Sequence, residues 1–503
     1  MNKHKLAKNT ISSLTLQIIT IICGFILPRM MLKYYGSEIN GLVNSITQFL
    51  SMIAFLELGV GAVVQSSLYK PLAEGNLVKQ SEIYASAHDF FSRLAKILLV
   101  YVCVLIIIYP HISNQDYGEV FTGTLVVVMS ISSFAQYYFG IVNSLFLTAD
   151  QKGYIQYNVQ IVTLIVNTIF CLFLMKLGCS IHFVKLSTSL IYLIRPLYLN
   201  EYVKRNYHIN RKIKYSEEPI KQKWNGIAQH IAAIVLDGTD TVVLTVFADL
   251  KSVSVYSVYY LVVSGIKQLF NAVTSGIQAL LGDLYAREER KSLLEAFEFC
   301  EWVIHNSAML IMGCVANLIT PFVLLYTSGI HDANYNQRIF GYILTFAYAM
   351  YCLRLPYHMM VRASGKYKET QNNYIISAIL NLVISILMIK KLGLTGVAIG
   401  TFIAMTFQTI GLALYNAKKI LHITYGSFIK RMLVDGIIII IGMFVSLKVN
   451  CDCYNFGMWI VLGVKIMLIW FVTIFIINLF FYNKYIAFWG KNRVNSDVLK
   501  RRK

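Results

Sequence analysis

The sequence predicts an all-α polytopic membrane protein of about fourteen transmembrane helices, built as two six-helix lobes followed by a C-terminal helix pair. Three observations carry this. The chain of 503 residues is 57% hydrophobic and only 14% charged, with a mean hydropathy of +0.59, too apolar for a soluble chain of this length. Apolar runs of about 20 residues, long enough to cross a bilayer as helices, recur between short polar breaks. A set of polar residues also repeats at a fixed offset, which points to duplicated halves.

The apolar runs are continuous rather than alternating, which sets aside a closed barrel. The first begins near Thr10, after Lys3, Lys5 and Lys8; it is too long for a signal peptide, and more spans follow. The first six spans are expected near 10–32, 41–67, 88–110, 119–148, 157–176 and 181–203. A basic loop at 204–225 precedes spans near 226–248, 254–284, 296–327, 338–361, 372–389 and 394–416, and a last pair lies near 432–448 and 455–482. The expected domains are therefore a first lobe at 1–225, a second at 226–420, and the final pair with a basic tail at 421–503.

A net charge of +20 raises the question of nucleic acid, and the placement of the charges answers it. With the N-terminus inside, most of the 45 Lys and Arg fall in inner segments, while the outer loops hold only Lys33, Lys176, Lys185, Lys251, Arg338, Lys390, Lys391 and Lys448. That asymmetry predicts a multi-pass inner-membrane protein with both termini cytoplasmic, its basic tail 484–503 on anionic lipid, and no nucleic-acid partner. Cys23, Cys103, Cys171, Cys300, Cys314 and Cys352 lie in apolar runs and read as small hydrophobes, and Cys451 and Cys453 as two unpaired outer-loop thiols, with a strained disulfide between them as the alternative; no metal spacing emerges.

An offset of 214 pairs Ala149 with Ala363, Lys152 with Lys366, Asn158 with Asn372, Asn167 with Asn381, and Lys176 with Lys390; Leu68-Tyr69 and Leu284-Tyr285 match at 216. Each half starts inside and has an even number of spans, so the repeats run parallel, an architecture of transporters whose substrate site lies between the halves near mid-membrane.

Ionisable residues at bilayer depth are costly and mark functional candidates. At about 1.5 Å of rise per residue, Arg195 and Lys267 lie roughly 20 Å into their spans and Arg354 slightly deeper. Guanidinium and ammonium suit phosphate, so these three are expected to line a basic inter-lobe cavity that receives it. Asp237 and Asp240 share a helix face at similar depth and are the natural counter-charges. Each cation also has a structural reading: Lys267 paired with either aspartate, Arg195 satisfying carbonyls freed by Pro196, and Arg29, after Pro28, snorkelling to the outer interface. Glu57 stands in an apolar helix as a candidate for proton coupling or for pairing with a cation. Lys465, His230, and Glu301 with His305 at i and i+4 read mainly as satisfied structural groups. Gln48, Gln136, Tyr137, Tyr138, Asn143, Gln268, Asn271 and Gln278 suit either sugar hydroxyls or neighbouring helices. No nucleophile triad, phosphate-binding glycine loop or metal motif is present, so an enzyme is not expected, nor ATP as the energy source.

These residues resemble the Wzx-type polysaccharide flippases of the multidrug/oligosaccharidyl-lipid/polysaccharide (MOP) superfamily. The resemblance is carried by Leu27-Pro28-Arg29, Tyr34-Tyr35-Gly36 and Leu56-Glu57-Leu58-Gly59-Val60-Gly61, by Asp237 and Asp240 with the stretch 253–260, and by the junctions Thr148-Ala149-Asp150 and Arg362-Ala363-Ser364-Gly365-Lys366. It covers most of 8–420 through short, degenerate motifs. It implies a V-shaped two-lobe fold like those of the multidrug (MATE) and peptidoglycan-precursor (MurJ) transporters, with Arg29, Glu57 and Asp240 among its cavity residues. It also implies transport of an undecaprenyl-pyrophosphate-linked oligosaccharide to the outer leaflet for O-antigen or capsule synthesis, with H+ or Na+ as coupling ion, no cofactor, and the polysaccharide polymerase and glycosyltransferases as partners. Two alternatives stay open within the superfamily: a cation-coupled drug or metabolite antiporter, whose cavity should be acidic or aromatic, and a peptidoglycan-precursor flippase. A membrane scaffold would leave the buried charges and the repeat unexplained.

Overall fold

The computed structural model describes residues 3–57, 59–113, 117–211, 213–215, 217–220, 227–449 and 454–483. Cys451, Cys453 and the basic tail lie outside them. The described residues form fifteen α-helices and no strand: α1 Lys3–Ser51, α2 Val60–Ala73, α3 Leu77–Ile112, α4 Glu119–Ala135, α5 Ile141–Ala149, α6 Gly153–Lys176, α7 Ile181–Asn206, α8 Ile227–Phe247, α9 Leu250–Ala286, α10 Arg290–Tyr326, α11 Arg338–Ala363, α12 Tyr367–Leu392, α13 Leu394–Tyr415, α14 Tyr425–Ser446 and α15 Phe456–Phe481. A 3-10 turn, Met52–Glu57, follows α1, and π turns at Gln136–Gly140 and Asn416–Leu421 follow α4 and α13.

With α1 counted as two helices, its second part joined to α2 and α4 joined to α5, these make the fourteen helices the sequence predicts. The long α1 is two helices broken at Gly36, whose φ of 81° belongs to the left-handed region open to glycine. The second of them runs through the 3-10 turn toward α2, and α4 continues through its π turn into α5. Eleven segments among the described residues are long and apolar enough to cross a bilayer, the first, Ala7–Glu57, holding two passes. Of the rest, α7 carries Lys185 and Arg195, and α14 carries Lys430, Arg431 and Asp435. With 36 or 37 residues, α3, α9 and α10 measure about 54–56 Å and outrun the ~30 Å hydrocarbon layer.

The repeat extends to the turns. At offset 214, the Lys152 amide donates to the Leu147 carbonyl at 2.8 Å and the Lys366 amide to that of Val361 at 3.1 Å, each across a left-handed residue, Gln151 and Gly365. At offset 213 the pairs are Asn76 to Pro71 and Glu289 to Leu284, across Gly75 and Glu288. Asn167 and Asn381 are both buried, and each accepts from the side chain four residues on, Cys171 and Ser385.

Contacts divide the chain into two compact units, Met1–Leu261 with Gly329–Ala333, and Val262–Ser328 with Asn334–Lys503. In the first, α6 packs on α1 and α7, and α4 on α3 and α7. Helix α8 and the start of α9 join it through polar contacts: Asn40 donates to Ser254 at 2.8 Å and Ser45 bonds Thr245 at 2.7 Å. Asp332 accepts from the Ser37 amide and hydroxyl, both at 2.6 Å, capping the helix that restarts after Gly36.

In the second unit α11, α12 and α13 pack together, and α14 and α15 dock on α10. Helix α15 is apolar on nearly every face, Lys465 being its one charge, and its buried stripe of Leu462, Ile466, Trp470, Thr473 and Ile477 faces the protein while the remaining apolar side chains suit lipid. Trp470 is fully buried in a notch at Gly313 of α10 and Gly442 of α14; a Cβ on Gly313 would stand 2.3 Å from the indole ring. Trp302 donates to Asn478 at 2.7 Å, and Asn478 to Asn306 at 2.6 Å. Gly313→Val is expected to displace Trp470 and destabilise the second unit by about 1–3 kcal/mol, as overpacking does, read as a lower melting temperature in detergent. Gly463→Val, facing only Leu318 at 3.6 Å, should change it far less.

Candidate functional site

The predicted cations fall into two settings. In the second unit, Lys267 and Asn271 stand one turn apart on α9, and Tyr351 and Arg354 nearly one turn apart on α11. The four converge on Tyr351. Its ring centroid lies 4.9 Å from Lys267 Nζ and 4.7 Å from the Arg354 guanidinium carbon, and its hydroxyl donates to Asn271 Oδ1 at 2.9 Å. Tyr348 is a second, more distant ring for Lys267, at 6.0 Å. Both cations thus sit on one aromatic face system. Arg354 is 7% exposed and has no carboxylate within 4 Å among the described residues; its one polar contact is Met405 Sδ at 3.7 Å. Its helix continues the basic stripe through His358, which bonds Tyr374, to Arg362. Two like charges drawn to one ring repel each other, which an anion beside the ring would relieve.

The second setting lies wholly in the first unit, where α1, the 3-10 turn, α4, the π turn, α6 and α7 enclose a cavity of about 800 Å³. Arg195 and Glu57 line it, and so does Lys185, which the sequence reading placed in an outer loop. Helix α7 begins at Ile181, where the span was expected, so Lys185 lies a full turn inside the helix and its count with the loop was the error. A polar stripe of Lys185, Thr188, Ser189, Tyr192 and Arg195 runs down α7 at helical spacing and was the signal available in the sequence. Opposite it on α6 stand Gln156, Gln160, Thr163 and Asn167. Rather than serving carbonyls freed by Pro196, the Arg195 guanidinium donates to Gln156 Oε1 at 3.4 Å. Tyr137 lies beside Glu57 on the cavity wall, and Asn167 donates to the Tyr192 hydroxyl at 3.3 Å.

The other candidates are placed as follows. Arg29 is half-buried on α1, while its neighbours Leu27 and Met31 face the cavity. Asp237 is exposed, and Asp240, 2% exposed, accepts from the Tyr256 hydroxyl at 2.9 Å. Asn143 is bonded to Tyr84 and is structural. His230 meets the Ala54 carbonyl at 3.3 Å, and Lys465 is exposed.

A buried network surrounds Glu301 and His305, whose partners the sequence did not reveal. Glu301 on α10 accepts from Arg431 of α14 at 3.2 Å and from the Tyr357 hydroxyl of α11 at 2.5 Å, while His305 bonds Asp435 of α14 at 2.6 Å. Arg431 had been counted with an inner loop, because the span was expected to start at 432; α14 starts nearly two turns earlier, at Tyr425. These are structural pairs that fix α14 on α10.

No family model and no curated protein sequence matches this chain. Solved structures do. The lipid II flippase MurJ in an inward closed conformation superposes with a TM-score of 0.70 at 15% identity, over 95% of this chain and 99% of that one. The chain has the MurJ/MATE fold. A eukaryotic MATE transporter, AtDTX14, matches with a TM-score of 0.61 at 13% identity over 82% and 95%. A MOP-superfamily transporter from Pyrococcus furiosus gives 0.55 at 14% over 84% and 96%. All are membrane transporters or flippases rather than enzymes, and the likeness is one of fold. It establishes a multi-pass membrane protein with the architecture of MOP-superfamily transporters.

Proposed function

We propose that this protein is a flippase that carries a polyprenyl-pyrophosphate-linked oligosaccharide repeat unit, undecaprenyl being the expected lipid, across the bacterial inner membrane by alternating access driven by an H+ or Na+ gradient. The observation that carries the reading is the pair Lys267 and Arg354 on Tyr351. Two cations around one aromatic ring, with no carboxylate on Arg354, make a receptor for a phosphate oxyanion and a poor one for a cationic drug. That disfavours the cation-coupled antiporter. The bias of Lys and Arg toward one set of loops supports cytoplasmic termini.

A second reading has its own support: the MurJ structure matched over nearly its whole length is a lipid II flippase, so the cargo of this chain could equally be the peptidoglycan precursor. Both cargoes present a polyprenyl pyrophosphate, and competition separates them. In proteoliposomes, wild-type protein is expected to flip a fluorescent undecaprenyl-pyrophosphate oligosaccharide, and Lys267→Ala and Arg354→Ala to lose most of that activity while remaining monodisperse. Flipping of lipid II in preference would select the second reading. Efflux of small cations with no lipid flipping would overturn both.

A further inference from the structure

Two departures from regular helix meet at the cavity of the first unit. The 3-10 turn supplies Ile53, Ala54 and Glu57, and the π turn supplies Gln136 and Tyr137. At membrane depth, irregular backbone persists where it is buried in protein or lines a water-filled cavity, and π turns concentrate at functional sites. Their convergence marks this cavity as more than a packing gap.

Its charges point to the ligand. Among the described residues Lys185 makes neither an ion pair nor a hydrogen bond, and Arg195 Nε has no partner. A cation retained without a counter-charge inside a span is costly, and water or an anion in the cavity offsets that cost. Glu57 is the one carboxylate among the lining residues. The rest of the polar wall is amide and hydroxyl, the groups that match sugar hydroxyls. At about 800 Å³ the space is within the range of sites that enclose small ligands.

We propose that this cavity is a glycan subsite for a carboxylate-bearing sugar, with the carboxylate on Lys185 and the ring hydroxyls on Gln160, Asn167 and Tyr192. Lys185 takes the carboxylate because Arg195 is already tethered to Gln156. The inference rests on the flippase reading only for the glycan being part of the cargo.

The test titrates purified protein in nanodiscs, by calorimetry, with a glucuronate-containing disaccharide and with its carboxyl-reduced neutral counterpart. The acidic disaccharide is expected to bind about tenfold more tightly. Lys185→Gln should abolish the preference and Lys185→Arg keep it, the latter showing that a chain substituted at this position still folds. No preference in the wild type, or a preference that survives Lys185→Gln, overturns the proposal. Translocation is scored separately in proteoliposomes. Protein that prefers the acidic disaccharide yet flips no polyprenyl-linked cargo keeps the subsite and loses the flippase reading; protein that flips cargo but shows no preference does the reverse.

Discussion

Arg431→Met will destabilise the second unit by about 3–5 kcal/mol, the cost of leaving a buried carboxylate without its cation. Arg431 and Glu301 are 5% and 7% exposed, so water cannot replace the lost partner, and the Tyr357 hydroxyl supplies a hydrogen bond but no charge. The melting temperature of detergent-solubilised protein should fall steeply. Adding Glu301→Leu to Arg431→Met should recover most of the loss, because apolar pairs of similar volume commonly match a buried ion pair. A charge removed from the exposed Lys465 is the control and should change little. An Arg431→Met protein as stable as the wild type would mean that the pair contributes nothing and that Tyr357 alone suffices for Glu301.

That network shows where the sequence runs out. The fourteen passes were legible because lipid imposes long apolar runs, and the repeat because turns such as Leu147 to Lys152 and Val361 to Lys366 need the same backbone chemistry twice. Charges near helix ends were not legible. Arg431 falls in the nearly two turns by which the span expected from 432 misses the start of α14, and Lys185 was counted with the outer loops although it lies inside the expected span 181–203. The π turn at Gln136–Gly140 leaves no periodic trace, since it inserts a residue without breaking the helix. Glu301 and His305 were recognised as a pair on one face, yet their partners Arg431 and Asp435 are 130 residues away, and proximity across α10 and α14 is a tertiary fact. Lys267 and Arg354 were singled out by depth alone, but the residue that unites them, Tyr351, is one tyrosine among 33.

Tyr351 therefore carries the second large effect. Tyr351→Phe keeps the ring under both cations and gives up only the hydrogen bond to Asn271, so lipid flipping should fall a few-fold, about 0.5–1.5 kcal/mol. Tyr351→Leu removes the aromatic platform from Lys267 and Arg354 together, and flipping should fall roughly as far as in either cation variant. Loss of one charged contact to phosphate costs about 1.5–3 kcal/mol, roughly ten- to a hundredfold in rate. If both cations address one anion, the Lys267→Ala, Arg354→Ala double variant loses less than the sum of the singles, since the second removal acts on a site already disabled. Initial flipping rates of the four proteins in one liposome preparation give the coupling directly. Strict additivity, or full activity in Tyr351→Leu, would separate the two cations and reduce their meeting on this ring to helix packing between α9 and α11.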